Sequence, residues 1–189
     1  TLWRAPRASV DQRIRDQAGS GIGNPSQFRG EPQSGKPQSG NGPLPAERIA
    51  MPEPTTAVVT GAGRGIGLEI ARQLAAAGHR VLLTDVDGDA AERAATEVGR
   101  GAWSARHDVR DPSVHRDVAA KASAVGRLKV WVNNAGMLIA GDSWSHTDAE
   151  IASILDVNVR GVVAGSHAAV AAMGVDGGAI LNIASLSAL

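Results

Sequence analysis

The sequence predicts an α/β protein built on a doubly wound parallel sheet of about five strands. Three observations carry that expectation. From Thr55 onward, short apolar runs of strand length alternate with longer runs of helical period. The short runs are apolar throughout, as in Ala57-Val58-Val59, which suits strands covered on both faces. A glycine-rich stretch, Thr60-Gly61-Ala62-Gly63-Arg64-Gly65-Ile66-Gly67, joins the first such run to an amphipathic segment with Ile66, Ile70 and Leu74 at helical spacing.

Taken in order, strands are expected at 57–60, 81–84, 102–105, 130–133 and 179–183. Helical patterns occupy 65–77, 89–98, 112–125 and a long stretch, 147–173, that reads as two helices broken or bent near 156–161. Gly78 supplies a left-handed cap for the first helix. Asp111-Pro112 opens the third with an N-cap residue and a proline in the first turn. Right-handed crossovers between successive strands then wind the sheet on both faces.

The first fifty residues have a different texture. They hold six Pro and seven Gly with an imperfect Pro-Gln-Ser-Gly repeat, a composition that buries too little apolar area to offset chain entropy. A disordered tail over 1–50 is expected, either linker or sequence upstream of the true start, with partner binding as the alternative. A dinucleotide-binding domain is expected over 51–189, beginning near Met51.

The net formal charge is zero, divided as +3 over 1–50 and −3 over the remainder, and no basic patch argues for nucleic acid. The sequence contains no cysteine, which excludes disulfides and thiolate metal sites. No apolar run approaches the ~20 residues that span a bilayer, so no membrane partner is expected and a cytoplasmic location is the default. The five histidines, His79, His107, His115, His146 and His167, are scattered without metal-ligand spacing, and no metal is expected. Trp131 reads as core, Trp103 and Trp144 as packing residues, and Lys129 carries no assigned role.

The glycine stretch does not match Gly-x-Gly-x-x-Gly; it matches Thr-Gly-x-x-x-Gly-x-Gly in a strand–turn–helix setting. Gly61 permits the tight turn, and Gly65 and Gly67 allow backbone to approach a ligand and the adjoining strand. The helix N-terminus that follows offers backbone N–H groups and a partial positive charge to a diphosphate. Asp85 ends the second strand, eighteen residues after Gly67. An acidic residue there accepts from adenosine ribose hydroxyls and repels a 2′-phosphate, favouring NAD over NADP; a turn or capping role is its plainer alternative. Arg64 pulls toward NADP, since a guanidinium pairs with that phosphate. Asp108-Val109 and Asn133-Asn134-Ala135-Gly136 follow the third and fourth strands, at the carboxyl ends where open α/β sheets bind ligands.

With Asn158 in Val157-Asn158-Val159-Arg160-Gly161 and Ser185 in Asn182-Ile183-Ala184-Ser185, these pieces follow one order and spacing. Over residues 55–189 the chain resembles the short-chain dehydrogenase/reductase family, with its Rossmann-like fold. The resemblance implies hydride transfer between a nicotinamide cofactor and a small alcohol or carbonyl substrate, and assembly into homo-oligomers. It implies that Gly61, Arg64, Ile66 and Gly67 line the diphosphate and nicotinamide side and that Asp108 and Val109 flank the adenine. Asn134, Ala135 and Gly136 would support the riboses and the central sheet. Ser185 matches the serine that polarises the substrate oxygen, and Asn158 the asparagine that anchors a proton-relay water. Read alone, Ser185 is a strand-end hydroxyl, and Asn158 a helix-breaking residue with its amide bonded to backbone.

The family's Tyr-x-x-x-Lys, which lies downstream of the serine, has no counterpart: only four residues follow Ser185, and the sequence contains no tyrosine. Two expectations account for this. The chain is either the N-terminal part of a longer enzyme, inactive by itself, or a dinucleotide-binding or sensor module without catalysis. A methyltransferase with a similar glycine turn is disfavoured by the Thr-Gly-x-x-x-Gly-x-Gly spacing and by residues 133–136.

Overall fold

A computed structural model describes residues 53–185, so the expected tail over 1–50 lies outside the described residues. The alternation folds as strands β1 (Thr55–Thr60), β2 (Arg80–Asp85), β3 (Trp103–Arg106), β4 (Arg127–Asn133) and β5 (Ala179–Asn182). The helices are α1 (Gly65–Ala76), α2 (Gly88–Val98), α3 (Pro112–Ser123), α4 (Asp148–Leu155) and α5 (Val162–Met173). All pairings are parallel, in the order β3-β2-β1-β4-β5. The order reverses between β1 and β4, and a ligand crevice is expected outside the carboxyl ends of those two strands.

The apolar strands put side chains into two cores. On one face Ala57, Val59, Val81, Leu83 and Val132 pack with Ala71 and Ala75 of α1 and Ala94 and Ala95 of α2. On the other, Val58, Leu82 and Trp131 pack with Val118, Ala119 and Ala122 of α3 and Ala168, Ala169 and Met173 of α5. Each fully buried Val or Leu contributes roughly 1.5–3 kcal/mol relative to exposure, which is why the central strands define the fold.

Helix ends follow their predicted chemistry. Gly78 takes φ +96°, with Gly78 N–H donating to Ala75 O (3.2 Å) and His79 N–H to Leu74 O (3.1 Å), a Schellman closure. The Asp111 carboxylate accepts from Ser113 N–H (2.8 Å) ahead of Pro112. Thr147 and Glu150 form a reciprocal capping box on α4. The expected bend in the last helical stretch is a π-helical segment, Asp156–Gly161, between α4 and α5.

Four details differ from the sequence reading. β4 begins at Arg127, earlier than expected, because Lys129 interrupts the apolar run; Arg127 N–H bonds Pro54 O (2.9 Å) and extends the ladder. Lys129 has a structural role, since Nζ donates to the carbonyls of Asp176 (2.7 Å) and Gly177 (2.9 Å), at the end of a 3-10 turn. The sheet-facing stripe of α1 is Gly67, Ala71 and Ala75, with Ile70 and Leu74 flanking it, because small residues let the helix sit close to the strands. Ile66 is left outside that stripe, 67% exposed. Trp144 is not a packing residue: it is 84% exposed on a 3-10 turn after β4, whereas Trp131 is fully buried and Trp103 is partly buried beneath the Arg80 guanidinium.

Among the described residues β5 pairs on one side only. Ile180 packs against the second core, while Leu181 and Ile183 are exposed at that edge. No described helix is long and apolar enough to cross a membrane.

Candidate functional site

The site begins with a hydroxyl. Thr60, the last residue of β1, is 1% exposed. Its Oγ1 accepts from the backbone N–H groups of Asn134 (3.0 Å) and Ala135 (3.0 Å) and donates to Val132 O (3.3 Å). The Asn134 amide closes the loop in return, with Nδ2 donating to Thr60 O (2.9 Å) and Gly61 O (3.0 Å). The ends of β1 and β4 are thereby stapled where the strand order reverses.

The glycine turn is shaped against that staple. Gly61 has φ +62°, and a Cβ there would lie 2.8 Å from Ala135 Cα. A Cβ on Gly67 would lie 2.5 Å from both Asn134 Nδ2 and Gly61 O. Gly65 differs from its expected role: nothing lies within 4 Å of its Cβ position, and its φ of +60° is the feature that calls for glycine. Helix α1 starts with no side-chain cap and no acidic residue in its first turn, leaving its positive end open to an anion.

Asp85 serves the turn directly. Its Oδ2 accepts from Gly63 N–H (3.0 Å) and its Oδ1 from Asp87 N–H (3.1 Å), while Asp87 caps α2 by accepting from Ala90 N–H (3.0 Å). The turn role held open as its plainer alternative is therefore present. Asp85 also faces the cleft, so the two roles coexist.

A cleft of about 550 Å³ opens at this end of the sheet. All ten residues expected at the cofactor line it: Gly61, Arg64, Ile66, Gly67, Asp85, Asp108, Val109, Asn134, Ala135 and Gly136. Val86, His107, Arg110, Met137 and Val157 line it as well, and sequence reasoning gave none of these a place there. Arg110 was detectable two residues beyond Asp108, within side-chain reach. Its Nε and guanidinium NH2 bond the Asp108 carboxylate at 2.9 and 2.6 Å, and those bonds hold that carboxyl down to about 2.

The expected pair Asn158 and Ser185 is not brought into the lining. Asn158 sits in the π segment, with Oδ1 accepting from Met137 N–H (2.9 Å) and Nδ2 donating to Met137 O (2.9 Å). Its amide is bonded to backbone, as the plainer reading of this residue had it. Ser185 is exposed beyond the end of β5 and outside the cleft's lining.

Two histidines read as scattered are paired and buried. His107 Nε2 lies 3.1 Å from His115 Nδ1, His107 Nδ1 lies 3.0 Å from Thr84 Oγ1, and His115 Nε2 lies 2.9 Å from Val109 O. Burial, with His115 adding to it, pushes His107 down to about 3. Burial also lowers His115. The spacing of eight residues hid the pair, because only the seating of α3 against the central strands brings them together. No group of three or more His, Cys, Asp or Glu among the described residues is placed to hold a metal.

A parallel sheet in the order 3-2-1-4-5, with a glycine turn at its reversal and an acidic residue at the end of the second strand, defines a dinucleotide-binding α/β fold. Comparison with known proteins agrees: the short chain dehydrogenase family profile matches residues 55–189. The chain belongs to that family, whose members use nicotinamide dinucleotides. It is 36% identical over 132 residues to a 3-beta-hydroxysteroid dehydrogenase of Comamonas testosteroni, covering 69% of this chain and 52% of that protein. It is 43% identical over 134 residues to galactitol 2-dehydrogenase (L-tagatose-forming) of Cereibacter sphaeroides, with the same coverage of 69% and 52%. A solved short chain dehydrogenase/reductase family protein superposes with a TM-score of 0.66 at 37% identity, over 71% of this chain and 56% of that one. The chain thus spans about half the length of the curated relatives it matches.

Two outcomes follow from this geometry. Thr60→Val removes the acceptor for two backbone N–H groups and should cost about 1–3 kcal/mol in urea unfolding, with Thr60→Ser recovering most of it. Acid should also destabilise the fold by way of His107. The unfolded ring binds a proton near 6.5 and the folded one only near 3, so stability is full above 6.5 and falls as pH drops through that interval. The slope approaches ~1.4 kcal/mol per pH unit, and His107→Gln should flatten it when urea unfolding is compared at pH 5, 6 and 7.

Proposed function

We propose that residues 51–189 are the cofactor-binding part of an NAD-dependent oxidoreductase that interconverts an alcohol and a ketone or aldehyde, with 1–50 a tail or an upstream extension. The observation that carries the reading is the cleft itself, in which a glycine turn, an uncapped helix start and Asp85 face one space. The fit to a dinucleotide is supported by the cradle at Gly61 and Gly67, where any Cβ would meet the β4 loop. The first-turn N–H groups of α1, with Gly61, Arg64, Ile66 and Gly67, would line the diphosphate and nicotinamide side, Asp85 would hold the adenosine ribose, and Asn134, Ala135 and Gly136 would support the riboses. When bound, the cofactor supplies a hydride donor or acceptor. Asn158 and Ser185 are assigned the proton-relay and substrate-oxygen roles that the resemblance implies. NAD is preferred to NADP because Asp85 opposes a 2′-phosphate, against the opposite pull of Arg64.

The second reading is a dinucleotide-binding or sensor module without turnover, built on the same cleft. Titration with NAD tests the site both readings share, and reading the coding region past residue 189 separates them: a Tyr-x-x-x-Lys there supports the enzyme, and none in any frame supports the module. Asp85→Ala should weaken NAD about tenfold or more, the scale of hydrogen bonds to a charged group, and should narrow the gap to NADP. Tighter binding of NADP than NAD by the unaltered chain would sink the cofactor assignment.

The same reading assigns a second copy of the chain to the stripe Ile151, Leu155, Val159, Val163 and Val170 along α4, the π segment and α5. These residues are 42–52% exposed at spacings of four to seven. Such a stripe of apolar residues on paired helices suits helix-on-helix packing between protomers. Sedimentation should show assembly that Leu155→Asp with Val163→Asp abolishes; a monomeric unaltered chain would count against it.

A further inference from the structure

The histidine pair lies beneath one wall of the cleft, and its proton order is fixed by its ends. A carbonyl cannot donate, so His115 Nε2 carries a proton and donates it to Val109 O (2.9 Å). Both rings are held neutral by burial, so His115 Nδ1 is bare and accepts from His107 Nε2–H (3.1 Å). His107 Nδ1 is then bare in turn and takes the Thr84 hydroxyl proton (3.0 Å), in preference to Val59 O at 3.4 Å. The chain of donors therefore runs in one direction, from β2 through the loop after β3 and helix α3 to the carbonyl of Val109.

That carbonyl belongs to a residue with two further contacts. Val109 lines the cleft beside Asp108. Its Cβ, Cγ2 and O would each lie 3.1 Å from a Cβ placed on Gly161, at the end of the π segment that carries Asn158. Asp108 is pinned separately by Arg110, and Asp108 O accepts from Asp111 N–H (3.1 Å). The His107 backbone N–H donates to Asp85 O (2.7 Å), tying the chain that carries this ring to the residue assigned to the ribose. The charged groups acting on the pair are Asp108 on His107 and Asp111 on His115, both favouring the protonated ring, and burial outweighs them.

We infer that Thr84, His107 and His115 form a positioning relay that fixes the Asp108 and Val109 wall of the cleft and so sets dinucleotide affinity. The inference rests on the dinucleotide reading above. None of the three is a catalytic residue: they act through Val109, and through it on the π segment.

The test uses the full chain with NAD as the probe. His115→Leu and His115→Asn both lose the bond to Val109 O, the second while keeping an acceptor for His107. Each should weaken NAD about tenfold, on the scale of one lost buried hydrogen bond, while His115→Gln, which keeps both a donor and an acceptor, stays within about twofold. Val118→Ala, on the same helix but outside the relay, should lose stability without losing affinity. Nitrogen-15 spectra of the unaltered chain should show both rings as Nε2–H tautomers. Unchanged affinity in both His115→Leu and His115→Asn, an equal loss in Val118→Ala, or an Nδ1–H tautomer at either ring would overturn the relay while leaving the dinucleotide reading intact. An unaltered, folded chain that takes up no NAD would remove the dinucleotide reading first, before any variant is compared.

Discussion

The carboxyl end of this sheet depends on the Thr60 hydroxyl. At the strand reversal, α1 leaves for one face and the β4 loop turns toward the other, so two backbone segments part beside each other with polar groups to satisfy. Thr60 Oγ1 answers two of them at once, and Asn134 returns two bonds to the carbonyls of Thr60 and Gly61. Buried N–H groups left without an acceptor cost more than a hydrogen bond gains, so the staple confines the turn to a narrow geometry. The Gly61 and Gly67 requirements follow from it, since both approach atoms that the staple has fixed. The cleft is the space those constraints leave.

A second polar layer carries this order outward. Trp131 Nε1 donates to Asn133 Oδ1 (2.8 Å), and Asn133 Nδ2 donates to Asn182 Oδ1 (2.8 Å) and Ser166 Oγ (3.1 Å). Ile183 N–H donates to Asn133 O (2.9 Å) just past β5. The register of β5 against β4 is thus held by directional bonds as well as by Ile180 packing, and that register decides where Ser185 emerges. Gly165 of α5 lies against Asn133 Oδ1 and Trp131 Nε1, so a side chain there would press on the amide itself. The His115 ring sits 6.2 Å from Trp131, which places the two buried polar groups side by side under one face of the sheet.

The sequence was most legible where the physics is local. Strand–helix alternation, the Gly78 closure and the Asp111-Pro112 start could be read from composition, period and spacing, because each reports a short stretch of backbone; the residues expected at the cleft came from the glycine turn, the strand ends and the family resemblance together. It was least legible where residues far apart share an environment. Ile66 matches Ile70 and Leu74 in period but not in burial, since the helix is seated by its smaller residues. Trp144 is apolar and yet exposed, since no described element covers its turn. Asn158 carries the family's spacing, but its amide is occupied by Met137, which no local pattern records.

By itself the sequence determined the α/β alternation, the glycine turn, the acidic end of the second strand and the family to which the chain belongs, because these depend on near neighbours along the chain. Only the tertiary structure decided that Thr60 would staple β1 to β4, that Lys129 would cap a distant turn, and that His107 and His115 would meet beneath the cleft wall. Hydrogen bonds between buried side chains form only after the sheet order and the helix seating have brought their partners within reach, and burial then lowers both rings' affinity for a further proton.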